Sequence, residues 1–115
     1  MTYLIMVLIT LVAYLLGSVN SAIIVGKLHK IDIREHGSGN AGLTNTLRVL
    51  GKASAACVLL GDVLKAVIAI GIARIATLGF EEELMINLTL QLAGIGVVLG
   101  HIFPVYYGFK GGKGV

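Results

Sequence analysis

The sequence is poor in the residues that cross-link, ligate metals or solubilise an ordinary domain. It has one cysteine, Cys57, so no intrachain disulfide framework exists. Its three histidines lie far from one another and from Cys57 and give no zinc-ligand spacing, so neither a metal nor a cofactor is expected. Tryptophan is absent and proline occurs once, at Pro104. Charge is scarcer still: 13% of residues are charged against 57% hydrophobic, with a mean hydropathy of +0.94. A chain of 115 residues is within the range of one domain, but that balance lies outside soluble composition and indicates a membrane protein. The net charge of +3 does not argue for nucleic acid, because the basic residues flank apolar runs, as the positive-inside bias requires.

What is present is three apolar runs. No Asp, Glu, Lys, Arg or His occurs between Met1 and Gly26, and Tyr3–Ile24 is long enough to cross a hydrocarbon core that needs about 20 helical residues. A cleaved signal peptide fits poorly: the basic leading region and the small-x-small cleavage site are missing and the run is too long. Gly17-Ser18-Val19-Asn20-Ser21 interrupts this run with small, hydrogen-bonding residues, read as a helix-packing surface. The second run, Ala53–Leu78, carries Asp62 and Lys65 on one face. Each charge costs about 2.5–3.5 kcal/mol at a bilayer centre, so the two either pair or line a polar cavity, and the sequence leaves both open. Glu81-Glu82-Glu83 marks an external turn. The third run extends from about Leu84 to Tyr107, with Gly94, Gly96 and Gly100 as packing surfaces, His101 read as a hydrogen-bonded packing residue and Pro104 as a kink. The expected fold is all-α and polytopic: a single membrane domain over 1–115, with helices over about 3–25, 53–78 and 84–107 and short glycine-rich loops.

The loop between the first two runs holds Lys27, Lys30, Arg34, Arg48 and Lys52 against Asp32 and Glu35, which predicts a cytoplasmic loop and an external N-terminus. His29 and His36 read there as interfacial polar residues. Within the loop, Gly37-Ser38-Gly39-Asn40-Ala41-Gly42-Leu43-Thr44-Asn45 has the makings of an anion site. Glycine lets the backbone turn N–H groups inward, and Ser38, Asn40, Thr44 and Asn45 add side-chain donors. Gly37-x-Gly39-x-x-Gly42 matches the dinucleotide fingerprint only as a string, for it follows a membrane helix and not a strand; Leu43 stands where a P-loop would need lysine. Thr44 or Asn45 is the expected N-cap of a short helix through residues 46–50 closed by Gly51, which brings Arg48 to the anion. After the third run, Gly108-Phe109-Lys110-Gly111-Gly112-Lys113-Gly114 forms a second glycine-rich stretch with two lysines. Three crossings bring both stretches to one membrane face.

Gly37-Ser38-Gly39-Asn40, Thr44-Asn45 and Arg48, followed by Gly100-His101-Ile102-Phe103-Pro104-Val105 and Phe109 to Val115, resemble the bacterial acyl-phosphate:glycerol-3-phosphate acyltransferase family, called PlsY. Gly17-Ser18 and Asp62-Val63-Leu64-Lys65 extend the likeness over essentially the whole chain. The resemblance implies transfer of an acyl group from acyl phosphate to glycerol 3-phosphate, giving 1-acyl-glycerol 3-phosphate and inorganic phosphate for phospholipid synthesis in the bacterial inner membrane. It implies essential roles for Ser38 and Arg48, phosphate binding by Gly37, Gly39, Asn40, Thr44 and Asn45, and a glycerol 3-phosphate site at Lys110, Gly111, Gly112, Lys113 and Gly114. Ser38 is expected to orient the substrate and not to attack it, since no histidine is spaced to act as its base.

Two departures stand out. Ala41 and Leu43 replace the proline and alanine usual in the first motif, and the chain stops at Val115, where the family continues through further helices to a third motif. The expectation is therefore an N-terminal portion, inactive alone, its remaining helices possibly supplied as a separate chain. The absence of an acidic residue in the first run argues against a small multidrug-type transporter. A non-catalytic membrane protein that binds phosphate or lipid headgroups remains the alternative.

Overall fold

Long apolar stretches alternating with short polar ones fold, in the computed structural model, into a helical bundle whose residues 1–111 are described. Among these are five α-helices: α1 (Thr2–Gly17), α2 (Ser21–Leu28), α3 (Leu43–Leu50), α4 (Lys52–Ala76) and α5 (Glu83–Ile102). Short 3-10 turns occupy Ile33–Glu35 and Val105–Tyr107. Three segments are long and apolar enough to cross a membrane: α1 with α2 over Thr2–Leu28, α4 over Lys52–Ala76, and Glu83–Tyr107. The first and third run parallel to each other and α4 runs back between their ends. Thr2 and Tyr3 accordingly meet Gly79–Glu82 at one end, while the 37–45 loop and the segment after α5 share the other.

The bundle is held by close approach of small residues, as expected where lipid tails offer no hydrophobic drive between helices. Ala13, Ala69, Ala73 and Ala93 are buried together with Ile9 and Val97. α1 lies directly on the backbone of α5. A Cβ on Gly100 would run into the Tyr14 carbonyl, and one on Gly96 would sit 2.8 Å from the Thr10 carbonyl. Leu4, Leu8, Leu11, Leu60, Val63 and Val67 stay exposed on the outer faces.

The first apolar run differs from the single helix expected. It breaks at Ser18-Val19-Asn20, and the small polar residues that suggested packing are what make the break tolerable. Asn20, fully buried and extended (φ −100°, ψ 111°), accepts the Ile23 N–H at 3.0 Å and so caps α2. Its amide nitrogen donates to the Ala41 carbonyl at 3.1 Å, which ties the break to the glycine-rich loop. Pro104 does not kink the third helix but follows its end: α5 stops at Ile102, since proline supplies no N–H to continue it. The Tyr14 hydroxyl donates to the freed Phe103 carbonyl at 2.5 Å, and Ser18 Oγ accepts the Val105 N–H at 3.3 Å.

Candidate functional site

The glycine-rich loop owes its shape to Asn45. This side chain is 1% exposed, and its amide nitrogen donates to the carbonyls of Ile33 (3.3 Å), His36 (3.0 Å) and Asn40 (3.0 Å) while Oδ1 accepts the Ser38 N–H at 2.9 Å. All its hydrogen-bonding groups are thus engaged within the loop. Asn45, expected among the phosphate-binding residues, is the staple that holds the loop, because an amide this deeply buried satisfies itself on nearby backbone. Gly37 has φ +56° and packs on the Asn45 carboxamide and Val49, a place only glycine fills without strain. The Ser38 and Gly39 N–H groups are engaged by Asn45 and the His36 carbonyl, so they do not form the inward-facing nest expected.

Donors come instead from α3. This helix begins at Leu43 with Gly42 as N-cap, so neither Thr44 nor Asn45 caps it as expected. Its first N–H groups, at Leu43, Thr44 and Asn45, have no intrahelical acceptor, and the residues carrying them border an open cleft. The cleft has a volume of about 610 Å³ and is also bordered by Ser38, Asn40 and Arg48. Ser38 Oγ accepts the Asn40 N–H at 3.3 Å, which leaves its hydroxyl proton free to be donated. Arg48 is exposed and has no acidic partner among the described residues.

Behind this polar rim the cleft runs between α4 and α5, past Leu59, Ala66, Val97 and Val98. At the junction sit Asp62 and Lys65, expected to pair or to line a polar cavity, together with His101, which the sequence did not join to them. Lys65 Nζ donates to the Gly17 carbonyl at 3.0 Å and the Val19 carbonyl at 2.9 Å, and lies 3.1 Å from His101 Nδ1 and 3.2 Å from Asp62 Oδ1. Asp62 Oδ1 receives no well-aligned hydrogen bond, so its contact with Lys65 is Coulombic. The signal for this cluster was the cost of charge in an apolar helix; the acceptors it needed were hidden in a break that only folding reveals.

The second glycine-rich stretch is placed differently. Lys110 and Gly111 do not border the cleft, while Gly112, Lys113 and Gly114 lie outside the described residues. Gly111 packs on the His101 carbonyl, and its N–H donates to the Ile102 carbonyl at 3.0 Å. Tyr107 turns back toward the first loop, with Lys27 Nζ 5.6 Å and the Arg34 guanidinium 5.8 Å from its ring centre. Arg34 holds Asp32 in a two-pronged pair, donating from Nε and Nη2 at 2.9 Å each. That hydrogen-bonded guanidinium lowers the Asp32 pKa from its ordinary value and the carboxylate raises that of Arg34. Among the described residues no three His, Cys, Asp or Glu side chains come together as metal ligands.

The described residues thus form a bundle of membrane-length helices with a cleft at one end, its rim polar and its depth apolar. The family model described as glycerol-3-phosphate acyltransferase matches residues 7–115, and the chain belongs to that family. It is 51% identical over 109 residues to the glycerol-3-phosphate acyltransferase of Halalkalibacterium halodurans, covering 94% of this chain and 50% of that protein. It is 46% identical to that of Bacillus subtilis, covering 94% and 52%. The crystal structure of PlsY, an integral membrane glycerol 3-phosphate acyltransferase, in its glycerol 3-phosphate form superposes with a TM-score of 0.79 at 41% identity, over 96% of this chain and 52% of that one. The lysophosphatidic acid form gives a TM-score of 0.76 at 39% identity, over 95% and 50%. The chain spans about half the length of the curated relatives it matches. It is an integral membrane protein.

Proposed function

We propose that the cleft binds acyl phosphate and that the protein transfers its acyl group to a hydroxyl of glycerol 3-phosphate. The observation that carries this reading is the continuity of the cleft, in which anion-binding groups on the 37–45 loop and α3 pass directly into an apolar groove between α4 and α5. The phosphate is held by the Ser38 hydroxyl, Thr44, Arg48 and the first N–H groups of α3, with Asn40 at its edge. The acyl chain lies along Leu59, Ala66, Val97 and Val98. The glycerol oxygen bonds to the carbonyl carbon, the bond from that carbon to the phosphate oxygen breaks, and phosphate leaves with the hydroxyl proton. The products are 1-acyl-glycerol 3-phosphate and inorganic phosphate. Donors around the phosphate stabilise it as it departs, and the held acceptor meets the carbonyl without an entropic search. The relative crystallised in a glycerol 3-phosphate form supports the choice of acceptor.

Lys110, Gly111, Gly112, Lys113 and Gly114 are assigned to the acceptor, a reading supported by the packing of Gly111 on the His101 carbonyl. Ser38 orients phosphate and does not become acylated; detection of an acyl-Ser38 adduct during turnover would refute that. Lys27, Lys30, Arg34, Arg48, Lys52 and Lys110 gather at the cleft end while Glu81, Glu82 and Glu83 lie at the other, which supports a cytoplasmic cleft in the bacterial inner membrane.

The deciding experiment is acyl transfer from labelled palmitoyl phosphate to glycerol 3-phosphate in proteoliposomes, on the 115-residue chain and on that chain joined to the remaining length of a relative. Product from the joined chain, abolished by Arg48→Ala, is expected. Binding of acyl phosphate without product from the joined chain would favour a non-catalytic headgroup or phosphate binder.

A further inference from the structure

We infer that Lys65 is a positioning residue which fixes His101 as a neutral ring protonated on Nε2, so that His101 donates a hydrogen bond to the acyl carbonyl oxygen in the cleft. The second half of this rests on the acyl phosphate reading above; the first half does not.

The assignment follows from counting protons. An ammonium group has three N–H donors and no acceptor. Of four acceptors within 3.2 Å of Lys65 Nζ, three are aligned for hydrogen bonding, the Gly17 carbonyl, the Val19 carbonyl and His101 Nδ1, while Asp62 Oδ1 is not. The two carbonyls belong to the C-terminal end of α1, where the break at Ser18–Asn20 leaves backbone oxygens without helical partners inside an apolar bundle. A cation there satisfies both oxygens and lies at the negative end of the α1 dipole. Asp62 Oδ1, 3.2 Å away and not aligned for a hydrogen bond, supplies a countercharge to the ammonium. The remaining N–H points at His101, and a lysine that only donates requires a lone pair on Nδ1. The ring proton is therefore on Nε2.

Nε2 has no hydrogen-bond partner among the described residues, although His101 borders the cleft. The position fits the carbonyl. His101 lies one turn beyond Val97 and Val98 on α5, and Lys65 lies beside Ala66 on α4, so both sit where the apolar groove meets the polar rim. An acyl phosphate laid along the cleft puts its carbonyl at that junction. A fixed N–H there meets the oxygen on which negative charge develops as the acceptor attacks.

The test begins without substrate. Protein carrying 15N-histidine, reconstituted in nanodiscs, is read by long-range 15N–1H correlation, with His101 assigned by its loss in His101→Gln. The expected wild-type pattern is a neutral ring with the proton on Nε2, shifting toward a tautomer mixture in Lys65→Met. A proton on Nδ1 in the wild type overturns the inference, as does an unchanged pattern in a folded Lys65→Met. Should Lys65→Met fail to fold, the wild-type spectrum alone decides the tautomer.

The second arm uses the joined chain in the acyl transfer assay. His101→Gln keeps an N–H near the ε position, whereas His101→Asn keeps only an acceptor facing Lys65. The Asn variant is expected to lose about 10²-fold in kcat with little change in KM, and the Gln variant to recover part of that loss. Equal losses in the two variants refute the donor role. Absence of transfer by the parent chain refutes the acyl transfer reading and leaves the tautomer result standing.

Discussion

The two glycine-rich stretches look alike in the sequence, and the fold treats them in opposite ways. The first is closed over a buried amide: Asn45 gathers three carbonyls and one N–H, and the loop it shapes borders the cleft. The second leaves the end of α5, with Gly108 in a left-handed turn that has open space around it and Lys110 exposed. Glycine in the first serves close packing around a staple. In the second, as far as Gly111, it serves a change of direction at a helix end, with Gly111 itself pressed on the His101 carbonyl. Glycine content alone therefore does not say how a loop is shaped; the side chains packed against it do.

The strongest way to break this contrast is Asn45→Leu, which strands the Asn40 carbonyl and the Ser38 N–H and takes one of two partners from the Ile33 and His36 carbonyls. At about 1–3 kcal/mol for each of the two groups left unsatisfied, it should cost at least about 2 kcal/mol and abolish acyl phosphate binding, read by thermal unfolding in detergent and by calorimetry. Loss of less than about 1 kcal/mol would show that the loop holds its shape without the staple. Gly37→Ala comes next: the left-handed backbone costs about 1–2 kcal/mol, and its Cβ must also displace the Asn45 carboxamide and Val49 Cγ2.

Arg48→Lys tests the rim of the cleft without touching the staple. Replacing a planar fork with a point charge is expected to raise KM for acyl phosphate roughly tenfold, or about 1.4 kcal/mol, with unchanged thermal stability. Gly108→Ala sharpens the comparison from the other side. It shares the positive φ of Gly37 but meets nothing within 4 Å, so only the backbone term of about 1 kcal/mol applies. If Gly37→Ala and Gly108→Ala cost the same, the packing half of the contrast is wrong.

The smallest effect belongs to the Asp32–Arg34 pair at the rim. Because the folded-state pKa of Asp32 is lowered, its contribution is fully present above the ordinary carboxylate range and is lost as pH falls through the folded value. Partly exposed, the pair is worth less than about 1 kcal/mol. Denaturant unfolding above and below that range should show a slight loss at acid pH that Asp32→Asn removes.

Much of the fold was legible because membrane insertion is decided by local composition: twenty apolar residues in a row need no partner to reveal themselves. The break in the first helix was visible as Gly17–Ser21 but was read as packing, since a sequence does not say that a lysine 46 residues beyond Val19 will accept the burden of its loose carbonyls. Ser38, Thr44 and Arg48, near neighbours in the chain, border one cleft. Asp62 and Lys65 were legible as a pair, but His101 and the carbonyls of Gly17 and Val19 were not joined to them, because these come from other helices.

The sequence by itself determined the three crossings, the charge asymmetry between the two ends and the polar loop beside Arg48, all of which follow from spans of contiguous residues. Tertiary structure alone decided which hydrogen bonds the loop keeps for itself and which remain for a ligand. Asn45 could have faced a phosphate or the backbone, and burial beneath the loop chose the backbone. Lys65 could have faced lipid, solvent or substrate, and the open end of α1 claimed two of its protons and His101 the third.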